Sequence, residues 1–295
     1  MSLLGQIIKM KSDVDVNGNS LPCSIYAGSP KDVSNFDYLN VRVKSNFDNV
    51  GIIVGEEGAG KTCWSFQKAL YMDYRFCITN VVFNEKQFIE ATDNLPHGSS
   101  IVWDESDAAS EHWASNIVKV ITRRLKRVRT KNYTMFLVTP TFFDFNKYFV
   151  NHRAIFLVDV YAKYDGKSNT IKRGSFRSFS RPKMRSLYIK GKIFWNMKAE
   201  YPNYIGSFPN YPKGFPIDMS PGGEYDIKKS LAMKEVEEDS VDPKQAVINF
   251  RRTVIPLVQS ELGKKNISLS QRELARCLDC SQGTITTDLK AINSE

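Results

Sequence analysis

The amino-acid sequence predicts an α/β fold, a parallel sheet flanked by helices, followed by a small all-α C-terminal domain. Three observations predict it. Short apolar runs alternate with helix-compatible segments between residues 50 and 160, the pattern of strands buried between two helical layers. A glycine-rich turn breaks the first of those runs and leads straight into a helix. Residues 245–295 carry two amphipathic helical segments separated by a tight turn.

In chain order, residues 1–49 form a weakly patterned extension that packs on the core, with Asn17-Gly18-Asn19 as a turn between short strands. The core spans 50–162. Its strands are expected at Val50–Val54, Ile78–Phe83, Ser100–Asp104, Thr134–Thr139 and Ala154–Val160. Helices are expected from Thr62, over Glu85–Thr92, over Glu111–Arg129 with Ile117, Ile121 and Leu125 at helical spacing, and near Phe142–Val150. Residues 163–233 make a basic, aromatic extension in which Ser186–Trp195 alternates like a hairpin around Gly191, and 201–223 reads as an irregular loop. The acidic segment 234–244 has no apolar stripe and reads as a linker. In 245–295, Ser270 caps a helix with Glu273 three residues on, and Leu274 and Leu278 face inward. A turn at Cys280-Ser281 precedes a second helix, Gln282–Asn293, with Ile285, Leu289 and Ile292 inward, and Ala246–Leu262 supplies a third.

The turn at 55–62 reads GEEGAGKT, which matches the phosphate-binding pattern G-x-x-x-x-G-K-[ST] and makes the core a P-loop NTPase. Gly55, Glu56, Glu57, Gly58, Ala59, Gly60, Lys61, Thr62 and Cys63 are the expected ATP-binding residues. Glycines allow the backbone to curl so that its N–H groups face phosphate oxygens, and the helix N-terminus favours anions. Lys61 is expected to reach the β- and γ-phosphates, and the Thr62 hydroxyl to bind Mg²⁺. The run Ile101-Val102-Trp103 ends in Asp104-Glu105, the form of a Walker B element. Asp104 would hold the metal's water shell and Glu105 would polarise the attacking water. At the tip of the fourth strand Thr139 either senses the γ-phosphate or caps the strand, since Pro140 ends it. Arg123 and Arg127 share one helix face and Arg153 precedes the fifth strand. Each is a candidate to offset γ-phosphate charge in a neighbouring subunit, and Arg123 and Arg127 read equally as a solvated or DNA-facing basic surface.

With these motifs in place, the chain resembles the P-loop ATPases of the additional-strand, catalytic-glutamate division. Within that division it is similar to FtsK/HerA-type and zonula-occludens-toxin-like ATPases carried by viruses and plasmids, archaeal ones especially. The likeness rests on GEEGAGKT, IVWDES, the arginine-rich helix and MFLVTP, and covers roughly Asn49–Tyr161. It implies a homo-oligomer of the kind that commonly forms rings on DNA and couples ATP hydrolysis to its movement. The chain departs from many such motors where Thr139-Pro140 stands in place of a sensor glutamine. The C-terminal text LSQRELARCLDCSQGTITTDLKAI resembles a helix-turn-helix, with Ser281, Gln282, Thr284 and Thr287 on the groove-facing side.

Charge is unevenly placed. The whole chain carries +9, whereas Lys163–Lys213 alone holds twelve basic and two acidic residues, a net of +10. Such an excess suggests a polyanionic partner, and the interleaved Arg177, Arg181, Lys183, Arg185, Lys190 and Lys192 are the expected DNA contacts. Five cysteines form no paired framework, and Cys277 and Cys280 lack the second pair a zinc site needs. No apolar run has the length of a membrane span and no signal peptide is present. The expectation is a cytoplasmic protein that works on DNA in replication, transfer or packaging of a mobile element. The competing expectations are an ATP-switched DNA-binding regulator or replication initiator, and an ATPase of virion assembly.

Overall fold

The computed structural model describes residues 10–104, 113–127, 129–166, 169–239, 243–264 and 268–292. They fall into two compact units, 1–233 and 234–295. In the first, β1 (Met10–Val14) and β2 (Ser20–Gly28) form an antiparallel pair of their own, joined through the expected turn with Gly18 at φ +85°. Helix α1 (Pro30–Lys44) starts at a capping box in which Ser29 and Asp32 satisfy each other's backbone N–H groups. Then come β3 (Asn49–Val54), α2 (Lys61–Met72), β4 (Val81–Val82), α3 (Glu85–Asn94), β5 (Ser100–Trp103) and α4 (Trp113–Arg127). They are followed by β6 (Thr134–Val138), α5 (Lys147–His152), β7 (Phe156–Asp165), β8 (Thr170–Ser180), α6 (Arg181–Gly191) and β9 (Tyr204–Ser207). Helix α7 (Glu224–Asp239) contains the boundary between the units, and α8 (Pro243–Gly263), α9 (Gln271–Cys277) and α10 (Gln282–Ile292) belong to the second.

The main sheet has seven strands in the order β4-β5-β6-β3-β7-β8-β9. The five from β4 to β7 are parallel, and β8 and β9 continue the sheet in antiparallel fashion. Strand β3 is buried at every position, as a strand covered on both faces must be. Alternation of side chains divides its burden. Ile53 joins Val102, Phe136, Val158 and Phe176 in a core shared with β2, α1 and α2, while Val50, Ile52 and Val54 join Ile101, Met135 and Leu137 on the opposite face. The N-terminal residues are therefore part of the main core: Ile25, Tyr26, Phe36 and Leu39 are buried in the first cluster with Trp64.

Four expectations need correction, and one is the loop expected over 201–223, which contains strand β9, Tyr204–Ser207. Residues 186–195 are helix α6 and a short 3-10 turn, Lys192–Phe194, rather than a hairpin. The period-2 reading overlapped a helical one: Met184, Leu187, Tyr188 and Gly191 are the buried positions, and Arg181-Pro182 after Ser180 is a helix start. Gly191 is required by space, since a Cβ there would lie 2.6 Å from the Asn196 carbonyl oxygen and 2.8 Å from the Phe143 ring. The expected second strand is cut to two residues because Ile78–Asn80 forms a 3-10 turn. The Asn80 side chain accepts from the Cys77 amide at 3.2 Å and donates to the Ser100 carbonyl at 2.8 Å, replacing ladder bonds. The segment expected as a linker is helical through Asp239, because lysine- and glutamate-rich sequence has high helix propensity without an apolar stripe.

In the second unit, Ile255, Leu274, Ala275 and Ile285 are buried together, with Leu278, Leu289 and Ile292 partly buried around them. Asp288 is also buried there, held by Arg251 at 2.8 Å and Arg252 at 3.3 Å. The Ser270–Glu273 capping box is present.

Candidate functional site

Strand β3 delivers the chain to the glycine-rich loop at the C-terminal end of the parallel strands. The loop root is tight. Gly55 has φ +139°, and a Cβ on it would lie 1.8 Å from the Val160 carbonyl oxygen, so no other residue fits without separating β3 from β7. Gly60, at φ +105°, caps α2 and brings no side chain to the first turn's N–H groups. A helix start without a side-chain cap keeps N–H donors and the helix's positive end on the side of the loop. Ala59 and Cys63 are buried as supports, while Glu56, Glu57 and Gly58 are exposed. The Lys61 ammonium reaches back over the loop, donating to the Gly55 carbonyl at 2.8 Å and the Glu56 carbonyl at 3.3 Å.

Asp104 follows β5 and its amide donates to the Val82 carbonyl at 2.9 Å, which fixes the backbone beside β4. Its carboxylate is buried, and the Thr62 hydroxyl donates to its Oδ2 at 2.9 Å. The Tyr225 phenol donates to the same oxygen at 2.7 Å. Burial pushes the Asp104 pKa above the usual carboxylate value, opposed by these two hydroxyls and by the charges of Lys229 and Lys61. The two residues assigned to the metal, 42 positions apart, thus touch at the loop. Glu105 lies outside the described residues.

Strand β6 lies between β3 and β5, which puts Thr139 at the tip between the two motif strands. Its amide donates to the Ile53 carbonyl at 2.9 Å and its hydroxyl exchanges bonds with the Thr141 backbone at 3.3 and 3.4 Å. It is fully buried and behaves as a strand cap. Arg123 and Arg127 are exposed in the last two turns of α4, whose end leads back to the start of β6, and Arg153 immediately follows α5. These three arginines stand towards the N-terminal end of the parallel strands. Five-residue strands at about 3.3 Å per residue separate that end from the phosphate loop by roughly 17 Å. Arg153 lines a cavity there with Arg42, Lys126 and Arg181. Arg124, between the two candidates, is tied to α3 through the Thr92 hydroxyl at 2.6 Å and through Asp93.

The basic residues of the extension are mostly engaged within the first unit. Arg177 pairs with the buried Asp159 on β7, Nε to Oδ2 2.8 Å. Arg181 donates to the carbonyls of Asn151 and His152, Arg185 to that of Asn151, and Lys183 to that of Tyr201. Lys190 pairs with Glu200 at 2.7 Å, and Lys192 bonds the Tyr188 hydroxyl and lies over its ring. In the second unit Ser281, Gln282 and Thr287 are exposed and Thr284 is half-buried. The Ser281 hydroxyl caps α10 by accepting from the Thr284 amide at 3.2 Å, and it also bonds the Thr284 hydroxyl at 2.8 Å.

Two residues near the loop escaped the sequence reading. Arg173 on β8 brings a guanidinium nitrogen 3.9 Å from where a Cβ on Gly58 would sit, and its place in the basic run was the only hint. Tyr225 is 121 positions from Asp104, and no local pattern links them. Compared with family models, with curated proteins and with solved structures, the chain matches none.

Proposed function

We propose that this chain binds Mg·ATP in the loop 55–62, hydrolyses it, and couples the turnover to work on DNA as a homo-oligomer. The observation that carries the reading is the meeting of Thr62 and Asp104 beside a glycine loop that caps α2 without a side chain. The fit to the ligand is chemical. A hydroxyl and a carboxylate are hard oxygen donors of the kind Mg²⁺ prefers, with phosphate and water completing its shell. The loop and helix offer N–H groups and a favourable field to a polyphosphate. The order β5-β6-β3, with a strand between the two motif strands, supports membership of the additional-strand division.

In this mechanism Lys61 exchanges its loop carbonyls for β- and γ-phosphate oxygens. Thr62 and Asp104 would hold the metal, the hydroxyl with a lone pair left over while it donates to the carboxylate and the carboxylate through water. Glu105 takes the proton of the attacking water, and an arginine of Arg123, Arg127 or Arg153 serves a neighbouring subunit. Bound Mg²⁺ supplies charge neutralisation at the β- and γ-phosphates. Glu105→Gln is expected to keep Mg·ATP binding and lose turnover. Lys61→Ala is expected to lose the binding itself, and equal Mg·ATP affinity in that variant refutes the reading.

A second reading, a nucleotide-switched DNA-binding regulator, is favoured by the second unit, in which Gln282 and Thr287 are exposed on a capped helix above a small core. ATPase rates separate the two. A motor is stimulated severalfold by any duplex, and a regulator only by its own site.

A further inference from the structure

We propose that Tyr225 is a positioning residue of the metal site, holding the Asp104 carboxylate in the orientation that receives the divalent cation. The inference rests on the nucleotide-site reading above and extends it to a residue no motif contains. Tyr225 and Thr62 donate to one and the same oxygen, Oδ2, at 2.7 and 2.9 Å. Two donors converging on one oxygen from different elements restrict the rotation of the carboxyl plane more than either donor alone. Thr62 sits on the first turn of α2. Tyr225 supplies a reference from outside it.

The phenol is itself anchored. Its ring lies 5.8 Å from that of Phe66 and 5.5 Å from that of Phe83, both edge-on, and the Tyr225 amide donates to the Asp218 carbonyl at 3.3 Å. The residues leading to it grip α2 a second time. Phe208 comes within 3.3 Å of the Cβ position of Gly60, and the Pro209 carbonyl accepts from the Gln67 amide at 3.0 Å. The carboxylate thus meets α2 through Thr62 and the phenol ring meets it through Phe66, by separate contacts. A packing role for Tyr225 needs only its ring. The hydroxyl's aim at the carboxylate of the proposed metal site calls for another explanation, and ligand orientation by an outer hydrogen bond provides it.

The test separates hydroxyl from ring. Binding of a fluorescent ATP analogue to the full chain is titrated with Mg²⁺, and repeated in EDTA, for the wild type, Tyr225→Phe and Phe66→Leu. The hydrogen bond to a charged acceptor predicts a roughly tenfold rise in half-saturating Mg²⁺ for Tyr225→Phe, with affinity in EDTA unchanged. Phe66→Leu, which loosens the ring's packing and keeps the hydroxyl, is expected to leave the Mg²⁺ midpoint within about twofold of wild type. An unchanged midpoint in Tyr225→Phe, or equal shifts in both variants, overturns the proposal. If the wild type itself gains no affinity from Mg²⁺, the nucleotide-site reading fails first, and the two failures are told apart by that control.

Discussion

Lys68 offers a quantitative test of how α2 is held behind the phosphate loop. Its side chain is fully buried, and its ammonium donates to the carbonyls of Tyr26 at 3.0 Å and Ala27 at 2.5 Å while facing the rings of Tyr26, Phe36 and Trp64. Burial lowers its pKa from the ordinary 10.5 to about 8, with Asp32 opposing the fall. A lysine depressed in the native state binds fewer protons there than in the unfolded chain, so stability rises as pH climbs through 8 towards 10.5. Holding the proton at neutral pH costs about 3 kcal/mol by that difference. Lys68→Met removes this cost but strands two buried carbonyls at about 1–3 kcal/mol each, so the two effects nearly cancel at pH 7. The pH dependence does not cancel. Between pH 7 and 9.5 the wild type is expected to gain about 2 kcal/mol over Lys68→Met, measured by urea unfolding followed through tryptophan fluorescence. Taking the difference removes the titration of tyrosines and cysteines common to both proteins. A difference that stays flat across that range refutes the reasoning.

Gly55→Ala forces a methyl group into the Val160 carbonyl at a positive φ and is expected to destabilise the first unit by about 2–4 kcal/mol in the same urea assay, with nucleotide affinity falling as well. Arg177→Met leaves Asp159 buried and unpaired next to the loop. It is expected to lose about 3–5 kcal/mol of stability at neutral pH, partly recovered in Asp159→Asn/Arg177→Met, which a double-mutant cycle measures. Lys61→Ala removes the hydrogen bonds to the Gly55 and Glu56 carbonyls. It is expected to change the thermal midpoint little and to weaken Mg·ATP binding more than tenfold by calorimetry.

The β3–loop–α2 unit and the β5 carboxylate were legible because their chemistry is local: a buried strand, glycines with required conformations and a helix start follow one another without interruption. The C-terminal helices were legible for the same reason, since Ser270 and Glu273 cap within one turn. What escaped depends on distant contacts. Strands β8 and β9 exist because Phe176 and Tyr204 find a sheet edge to extend, and a basic, aromatic composition conceals that. Arg177 stands opposite Asp159 in the β7–β8 register, a pairing that no local pattern announces. Tyr225 and Lys68 take their roles from partners that only folding brings near.

The sheet's two borders have a consequence for assembly. One outer strand, β4, has two residues and the other, β9, has four. Margins so brief expose few unpaired peptide groups, which protects against strand-to-strand association between copies. Copies joined across β4 or β9 would share a ladder of only two to four residues.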